Sequence, residues 1–177
     1  MKIIIAIDSF KECMPSIEVA SNIETGIKSY LKDVMITKIP MADGGEGTIN
    51  TLVSSTNGKI INCIAENPLM KKIDSTYGIL GDNETVVIEM ATTCSINMVS
   101  GYSKNPMNTT TYGMGTQVLD ALNKGYKKFI IGLGGACVSE GGLGMFQSLG
   151  FVFKGKDGNI LKNRSRWKTI NTNKRNR

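Results

Sequence analysis

The chain has 177 residues, 41% of them apolar and 20% charged, a composition typical of a globular protein and not of a disordered or fibrous one. Its formal net charge of +6 points first to nucleic acid or another anionic partner. However, seven of the 21 Lys and Arg residues follow residue 161, where no Asp or Glu occurs, so residues 1–161 carry 14 basic and 15 acidic side chains. The basic tail also lacks interleaved aromatic residues apart from Trp167, so we expect no nucleic-acid partner.

Histidine is absent, which excludes His-based triads, His general bases and His metal ligands. The four cysteines, Cys13, Cys63, Cys94 and Cys137, are too widely spaced for a C-x-x-C zinc or redox motif. We interpret them as reduced, mostly buried thiols of a cytoplasmic protein. The apolar run at residues 3–7 is too short for a signal peptide or a membrane span, so we expect no membrane partner.

The first part of the chain alternates between strand and helix patterns. Residues 3–7 predict a fully buried parallel strand that ends at Asp8, and residues 34–40 predict the next strand. Between them Ser16 is the candidate N-cap of a helix with a predicted apolar face formed by Ile17, Ala20, Ile23, Ile27 and Tyr30. With a second helix over residues 48–55, this order predicts a parallel sheet with functional residues at the carboxyl ends of its strands.

The middle of the chain changes to consecutive strands. Residues 59–65, 74–80 and 85–90 are strand-like runs separated by turn signals, with no helix between them. This β-meander predicts a second, smaller domain.

The last third of the chain returns to alternating helices and strands. An amphipathic helix is predicted from Thr116, with Val118, Leu119 and Leu122 on its apolar face. It leads to a buried strand at residues 129–131, a helix at 145–149 and a strand at 151–153.

A glycine-rich loop joins the strand and the helix within residues 129–149. Glycines let backbone N–H groups approach an anion, and a helix N-terminus adds its dipole, so this unit is suited to phosphate. It is neither a Walker A loop nor a G-x-G-x-x-G motif. The alternative is a tight turn in which glycines permit close packing.

Several acidic residues lie where predicted strands end. Asp43 and Glu46, on a glycine-rich loop, could hold Mg²⁺ or a polyol, or Glu46 could simply favour the start of a helix. Asp8 and Lys11 place a carboxylate and an ammonium group in one loop, with a surface ion pair as the alternative. Glu89 leaves a buried strand and is compatible with a site role or with a solvated strand end.

Three consecutive threonines, Thr109, Thr110 and Thr111, precede a predicted helix. Capping of that helix explains one hydroxyl group, and the others are open to a ligand.

Taken together, these segments resemble the bacterial type 1 glycerate kinase family. The matching stretches are I-A-I-D-S-F-K at 5–11, M-A-D-G-G-E-G-T at 41–48, Y-G-I-L-G-D with V-I-E-M-A at 77–91, N-P-M-N-T-T-T-Y-G at 105–113, and G-L-G-G with G-G-L-G-M at 132–145. The resemblance implies phosphorylation of D-glycerate by ATP with Mg²⁺, and 2-phosphoglycerate is the expected product.

The resemblance also implies an α/β fold of two interleaved domains. Residues 1–58 would form the first part of a Rossmann- or flavodoxin-like domain with a parallel sheet. Residues 59–161 would form the β-meander and α/β part of a β-richer second domain.

By this resemblance, the expected catalytic residues are Asp8, Lys11 and Asp43, and Asp43 and Glu46 are the expected Mg²⁺ ligands. The expected substrate- and phosphate-binding residues are Ser9, Gly44, Gly45, Glu46, Thr110, Thr111, Gly134, Gly135, Ser139, Glu140, Gly141 and Gly142. Phosphoryl transfer asks the protein mainly for positioning and charge stabilisation, which these residue types supply.

Two features depart from the family pattern. The family usually has S-A-T-N-D between its paired glycines, whereas residues 136–140 here are A-C-V-S-E. Each hydrogen bond lost from a phosphate site weakens binding by about 1–3 kcal/mol. Family members are also about twice as long, so we expect a truncated chain that is inactive alone, or alternatively a non-catalytic remnant that binds nucleotide or glycerate.

Residues 162–177 form a basic tail without helical or strand periodicity. At this point the family continues with the pattern G-G-x-L-x-x-I-x-x-I-D. One choice of codons for residues 166–177, read one base later, gives G-G-K-L-L-T-Q-I-N-E-I. We therefore interpret the tail as translated out of frame. The sequence indicates no particular oligomeric state.

Overall fold

The computed structural model describes residues 1–11 and 13–161, so the predicted basic tail at 162–177 lies outside the described residues. The strands are β1 (Lys2–Ile7), β2 (Met35–Pro40), β3 (Lys59–Glu66), β4 (Lys72–Ile79), β5 (Thr85–Glu89) and β6 (Lys128–Gly132). The helices are α1 (Ser16–Tyr30), α2 (Thr48–Thr56), α3 (Ala91–Cys94), α4 (Tyr112–Asn123) and α5 (Leu143–Ser148). This arrangement confirms the predicted α/β class. Across the described ranges, every helix is too short or too polar to span a bilayer.

The first sheet consists of β1 and β2, which pair in parallel as predicted, with Lys2 opposite Met35 and Ile7 opposite Pro40. Helix α1 packs against both strands, and Ile5 of β1 is only 6% exposed. The neighbouring position on β1, Ile4, points to the other face and is 67% exposed. The prediction of a fully buried strand is therefore wrong for this chain, because the described residues cover one face of the two-stranded sheet.

The start of α1 also differs from the prediction. Pro15 occupies the N-cap position, and no side chain caps the helix. Ser16 lies inside the helix and its Oγ is 3.2 Å from Thr51 Oγ1 of α2, so it joins the two helices. The predicted apolar face is only partly buried, since Ile17 and Tyr30 are exposed.

The second sheet has the order β3-β4-β5-β6. Strands β3, β4 and β5 are antiparallel neighbours, which confirms the meander, and β6 is parallel to β5. Helix α2 packs on one face, where Ile49, Val53 and Val87 form a small cluster. Helix α4 packs on the other face, which holds the larger core of Tyr77, Ile79, Val86, Ile88, Met90, Cys94, Met114, Val118 and Ala121.

Three expectations in the last third of the chain need correction. Helix α4 begins at Tyr112, not at Thr116, and Leu119 and Leu122 are exposed while Val118 is buried. Strand β6 is less buried than predicted because it is the edge strand of its sheet. Residues 151–153 form no strand, and the nearest pairing is an isolated bridge between Lys154 and Ile160.

Close packing of α2 on β4 predicts a measurable cost for Gly78→Ala. A Cβ atom at Gly78 would lie 2.5 Å from Val53 Cγ2 and 3.2 Å from Ile49 Cγ2. Overpacking of this kind lowers the free energy of unfolding by about 1–3 kcal/mol, which urea denaturation measures. Gly26→Ala in α1 is the control, because a Cβ there meets no atom within 4 Å. It should stabilise the protein by about 0.5–1 kcal/mol. Equal midpoints for wild type and Gly78→Ala would contradict the packing.

Candidate functional site

A cavity of about 530 Å³ opens where the loops after β1 and β2 meet the start of α2 and the loops after β5 and β6. Its position at the carboxyl ends of parallel strands agrees with the sequence-based expectation. The volume is in the usual range for small-molecule sites. Eight polar residues among those lining it are Asp8, Ser9, Lys11, Asp43, Glu46, Asn50, Ser95 and Asn97.

Lys11 and Asp43 form an ion pair at this cavity. Lys11 Nζ lies 3.0 Å from Asp43 Oδ2, and both side chains are 53% exposed. The second carboxylate oxygen, Oδ1, accepts a 2.9 Å hydrogen bond from the Gly45 N–H. The bond from Gly45 and then the Lys11 ammonium lower the pKa of Asp43. The hydrogen bond to Asp43 raises the pKa of Lys11, so both groups are charged at neutral pH.

Two further carboxylates, those of Asp8 and Glu46, line the same cavity as this pair. The negative charges of Asp8 and Glu46 also raise the pKa of Lys11. Asp8 Oδ1 accepts a 2.6 Å hydrogen bond from the Ser9 N–H, which fixes the end of β1. The cavity wall therefore carries three carboxylates and one ammonium group among the described residues. This excess of negative charge disfavours an anionic ligand unless a further cation accompanies it.

The donor set suits part of a Mg²⁺ coordination shell. Among the residues that the structure describes, no group of three or more Cys, Asp or Glu side chains is close enough to enclose a metal ion. Mg²⁺ is usually held by one or two carboxylates together with waters and substrate phosphates. Asp43 and Glu46 line the cavity and fit that pattern, although Asp43 is already paired with Lys11.

The glycines at this site bring two loops into backbone contact. Gly134 N donates a 2.9 Å hydrogen bond to Gly44 O. A Cβ atom at Gly134 would lie 2.5 Å from Gly45 Cα, and one at Gly132 would lie 2.6 Å from Gly44 O. Close packing, the alternative interpretation of this loop, thus accounts for Gly132 and Gly134. Of the residues in the 132–135 stretch, only Gly135 lines the cavity.

The structure places the other predicted phosphate-binding residues elsewhere. Glu140 Oε1 accepts hydrogen bonds from Thr111 N (2.6 Å), Thr111 Oγ1 (2.5 Å), Thr110 Oγ1 (3.2 Å) and Gly144 N (3.0 Å). Thr110, Thr111 and Glu140 are buried and do not line the cavity. A carboxylate of the protein therefore already occupies the N-terminus of α5.

The remaining predicted residues near α5, Ser139, Gly141 and Gly142, also lie outside the cavity lining. Thr111, the N-cap residue of α4, makes no side-chain cap, but Thr110 Oγ1 accepts a 3.3 Å hydrogen bond from Tyr112 N, so one threonine hydroxyl does serve the start of α4. Thr111 Oγ1 instead donates to Glu140 and accepts from Met145 N of α5. The single phosphate loop predicted from the sequence is thus divided between the cavity and this buried cluster.

Several residues that line the cavity were not predicted from the sequence. Asn50, Ser95 and Asn97 belong to no recognisable motif, and only the fold brings them to the cavity. Cys13 also lines it, and its position two residues after Lys11 was an available signal. Glu89, left open above, is 4% exposed and accepts hydrogen bonds from Gly47 N and Ile49 N, so it is not a solvated strand end.

Thiol reactivity tests this description of the cavity, because the four cysteines are free and differ in environment. Burial raises the pKa of Cys94 to about 12 and also raises the pKa of Cys63 and Cys137, whereas Cys13 is exposed. Since the thiolate is the reactive form, iodoacetamide at pH 8 should alkylate Cys13 at least roughly ten times faster than the other three. Peptide mass spectrometry gives the four rates. Faster labelling of Cys94 or Cys137 would contradict the structure, and Cys13→Ser is the control for assignment.

The profile of the glycerate kinase family matches residues 3–176. The chain is 47% identical over 150 residues to the glycerate kinase of Haemophilus influenzae, an alignment that covers 85% of this chain and 40% of that protein. It is 39% identical over 161 residues to the glycerate 2-kinase of Escherichia coli, covering 91% and 42%. A crystal structure assigned as a glycerate kinase 2 from Salmonella typhimurium LT2 superposes with a TM-score of 0.78 at 38% identity, over 91% of this chain and 43% of that one. The chain thus spans less than half the length of these relatives.

Proposed function

Because the chain belongs to the glycerate kinase family, we propose that its cavity takes part in transferring the γ-phosphoryl group of ATP to D-glycerate, with 2-phosphoglycerate as the product, in the cytoplasm. The observation that carries this proposal is the Lys11–Asp43 pair at the cavity wall, formed by two of the motifs that resemble the family. Among the described residues that line the cavity, the Lys11 ammonium group is the one positive charge that can contact the carboxylate or phosphoryl oxygens of an anionic substrate, with a further cation offsetting the carboxylates.

The exposure of the pair leaves Lys11 available to a ligand. Ion pairs this exposed contribute only about 0–1 kcal/mol to stability, so opening the pair costs little. In this proposal Lys11 turns from Asp43 to a substrate anion. In this proposal Asp8, on the same wall, accepts a hydrogen bond from a substrate hydroxyl group, which orients that oxygen for phosphoryl transfer.

Mg²⁺ would be held by Asp43 and Glu46 together with phosphate oxygens, and it would neutralise charge on the transferred group. The three carboxylates against one ammonium group support this assignment, because the cavity has a surplus of negative charge that a divalent cation offsets. With Lys11 engaged by substrate, Asp43 has a free carboxylate oxygen for the metal.

We further propose that the 177-residue chain binds substrate but does not turn it over. It spans 40–42% of the length of relatives named as glycerate kinases, and the face of β1 that carries Ile4 is not covered by the described residues. The alternative is a non-catalytic protein that binds nucleotide or glycerate. The occupation of the α5 N-terminus by Glu140 and the unusual residues 136–140 favour this alternative.

Protection of Cys13 from iodoacetamide tests binding directly. D-glycerate with Mg²⁺ should slow alkylation of Cys13 in proportion to occupancy, and the charge-removing variant Lys11→Met should weaken binding about ten-fold or more. Lys28→Met is the matched control, since Lys28 is also 53% exposed and ion-paired, but with Glu24 on α1. Absence of protection in the wild type, or an equal effect of both variants, would contradict the proposed role of Lys11.

A turnover assay separates the two candidate functions. With D-glycerate and Mg·ATP, we expect bound substrate and no phosphoglycerate from the 177-residue chain. Restored turnover on adding a polypeptide that supplies the rest of a family member would support a kinase segment. Binding that persists with no turnover even then would support the non-catalytic alternative, and rapid turnover by the chain alone would refute its inactivity.

A further inference from the structure

We propose that Glu89 is a positioning residue for the substrate site, acting on the loop that carries Asp43 and thereby on Lys11. This inference rests on the proposed function only for its binding readout. Glu89 is the last residue of β5, in the middle of the second sheet, whereas the Lys11–Asp43 pair belongs to the loops after the first sheet. A buried carboxylate thus reaches from one sheet to the functional loop of the other.

The carboxylate of Glu89 is used entirely by the backbone around the start of α2. Oε1 accepts a 3.2 Å hydrogen bond from Gly47 N, and Oε2 accepts a 3.1 Å bond from Ile49 N. The N-cap residue of α2 is Gly47, which has a φ of +91°. Because glycine has no side chain, the N-cap residue cannot itself cap the helix. Glu89 therefore supplies the cap from outside the helix, where a negative charge also interacts favourably with the helix dipole.

Hydrogen bonds joined by short stretches of backbone lead from this cap to the cavity. Thr48, between the two residues bound by Glu89, donates from N (3.2 Å) and from Oγ1 (2.7 Å) to Gly45 O. Gly45 N in turn donates to Asp43 Oδ1, and Asp43 Oδ2 pairs with Lys11. Each link fixes the next one, so the position of the ammonium group depends on the buried carboxylate.

Burial of Glu89 makes its hydrogen bonds to the backbone necessary. A carboxylate that is 4% exposed is costly unless hydrogen bonds satisfy it, and here both oxygens have backbone donors. Burial raises the pKa of Glu89, the hydrogen bonds from Ile49 N and Gly47 N oppose this shift, and the like charge of Glu46 adds to it. Without the two carboxylate oxygens of Glu89, Gly47 N and Ile49 N would lack partners. The loop over residues 43–47 would then be held to the second sheet by its contact with the loop after β6 but no longer by Glu89.

Amide hydrogen exchange and ligand affinity in Glu89→Gln test the proposal. The amide side chain keeps the shape but offers one acceptor atom in place of two. We expect exchange at Gly45 N and Gly47 N to accelerate at least roughly ten-fold, and D-glycerate binding to weaken by about ten-fold. Thr48→Val keeps Glu89 and removes the shorter of the two hydrogen bonds to Gly45 O, the one from Oγ1, while the bond from Thr48 N remains. It should therefore change exchange at Gly45 and binding in the same direction as Glu89→Gln, by a smaller factor.

Gln117→Leu is the control for general destabilisation. Gln117 is also fully buried, and its Nε2 lies within hydrogen-bond distance of three oxygen atoms, Ser75 Oγ, Thr76 O and Thr92 Oγ1, but the residue does not line the cavity. Gln117→Leu should lower the unfolding midpoint without changing the affinity for D-glycerate. Unchanged exchange at Gly45 in Glu89→Gln, or an equal loss of affinity in Gln117→Leu, would overturn the positioning role. If wild type fails to bind D-glycerate, the proposed function fails, while the exchange measurement still decides the role of Glu89.

Discussion

The contact between the loop after β2 and the loop after β6 is the constraint on which the site depends. It is made by backbone against backbone, with Gly134 N bonded to Gly44 O at 2.9 Å and no space for a Cβ atom at Gly132 or Gly134. Strand β6 is tied to β5, since Met90 N donates to Gly132 O. The contact therefore brings the first sheet to the second one and leaves the cavity between their loops.

Electrostatics then decide what the cavity can accept. Its wall combines carboxylates with the single ammonium group of Lys11, within the described part of the chain, and the pair with Asp43 is exposed enough to open at little cost. The buried carboxylate of Glu89, by contrast, holds the start of α2 and is not available to a ligand. The exposed carboxylates are therefore open to a ligand, whereas the buried one is engaged by the backbone.

The sequence predicted the order of elements well because apolar periodicity and turn residues are local signals, as the parallel β1–β2 pair and the meander confirm. It also predicted the loop ends that carry Asp8, Lys11 and Asp43. It could not predict the separation of Glu140 and Thr111 from the cavity, since this depends on contacts between residues 29 positions apart. The exposure of Ile4 and Ile130 could not be predicted from the sequence either, because burial depends on which neighbours cover each strand.

A titration of ¹⁵N-labelled protein with D-glycerate and Mg²⁺, followed through backbone amide chemical shifts, tests most directly whether the loops after β2 and β6 form one ligand site beside Lys11. We expect the largest changes at Ser9, Gly45 and Gly135, with little change at Ser139, Gly141 and Gly142. Changes concentrated at those last three residues, with Ser9 and Gly45 unaffected, would contradict the account and place the ligand at α5.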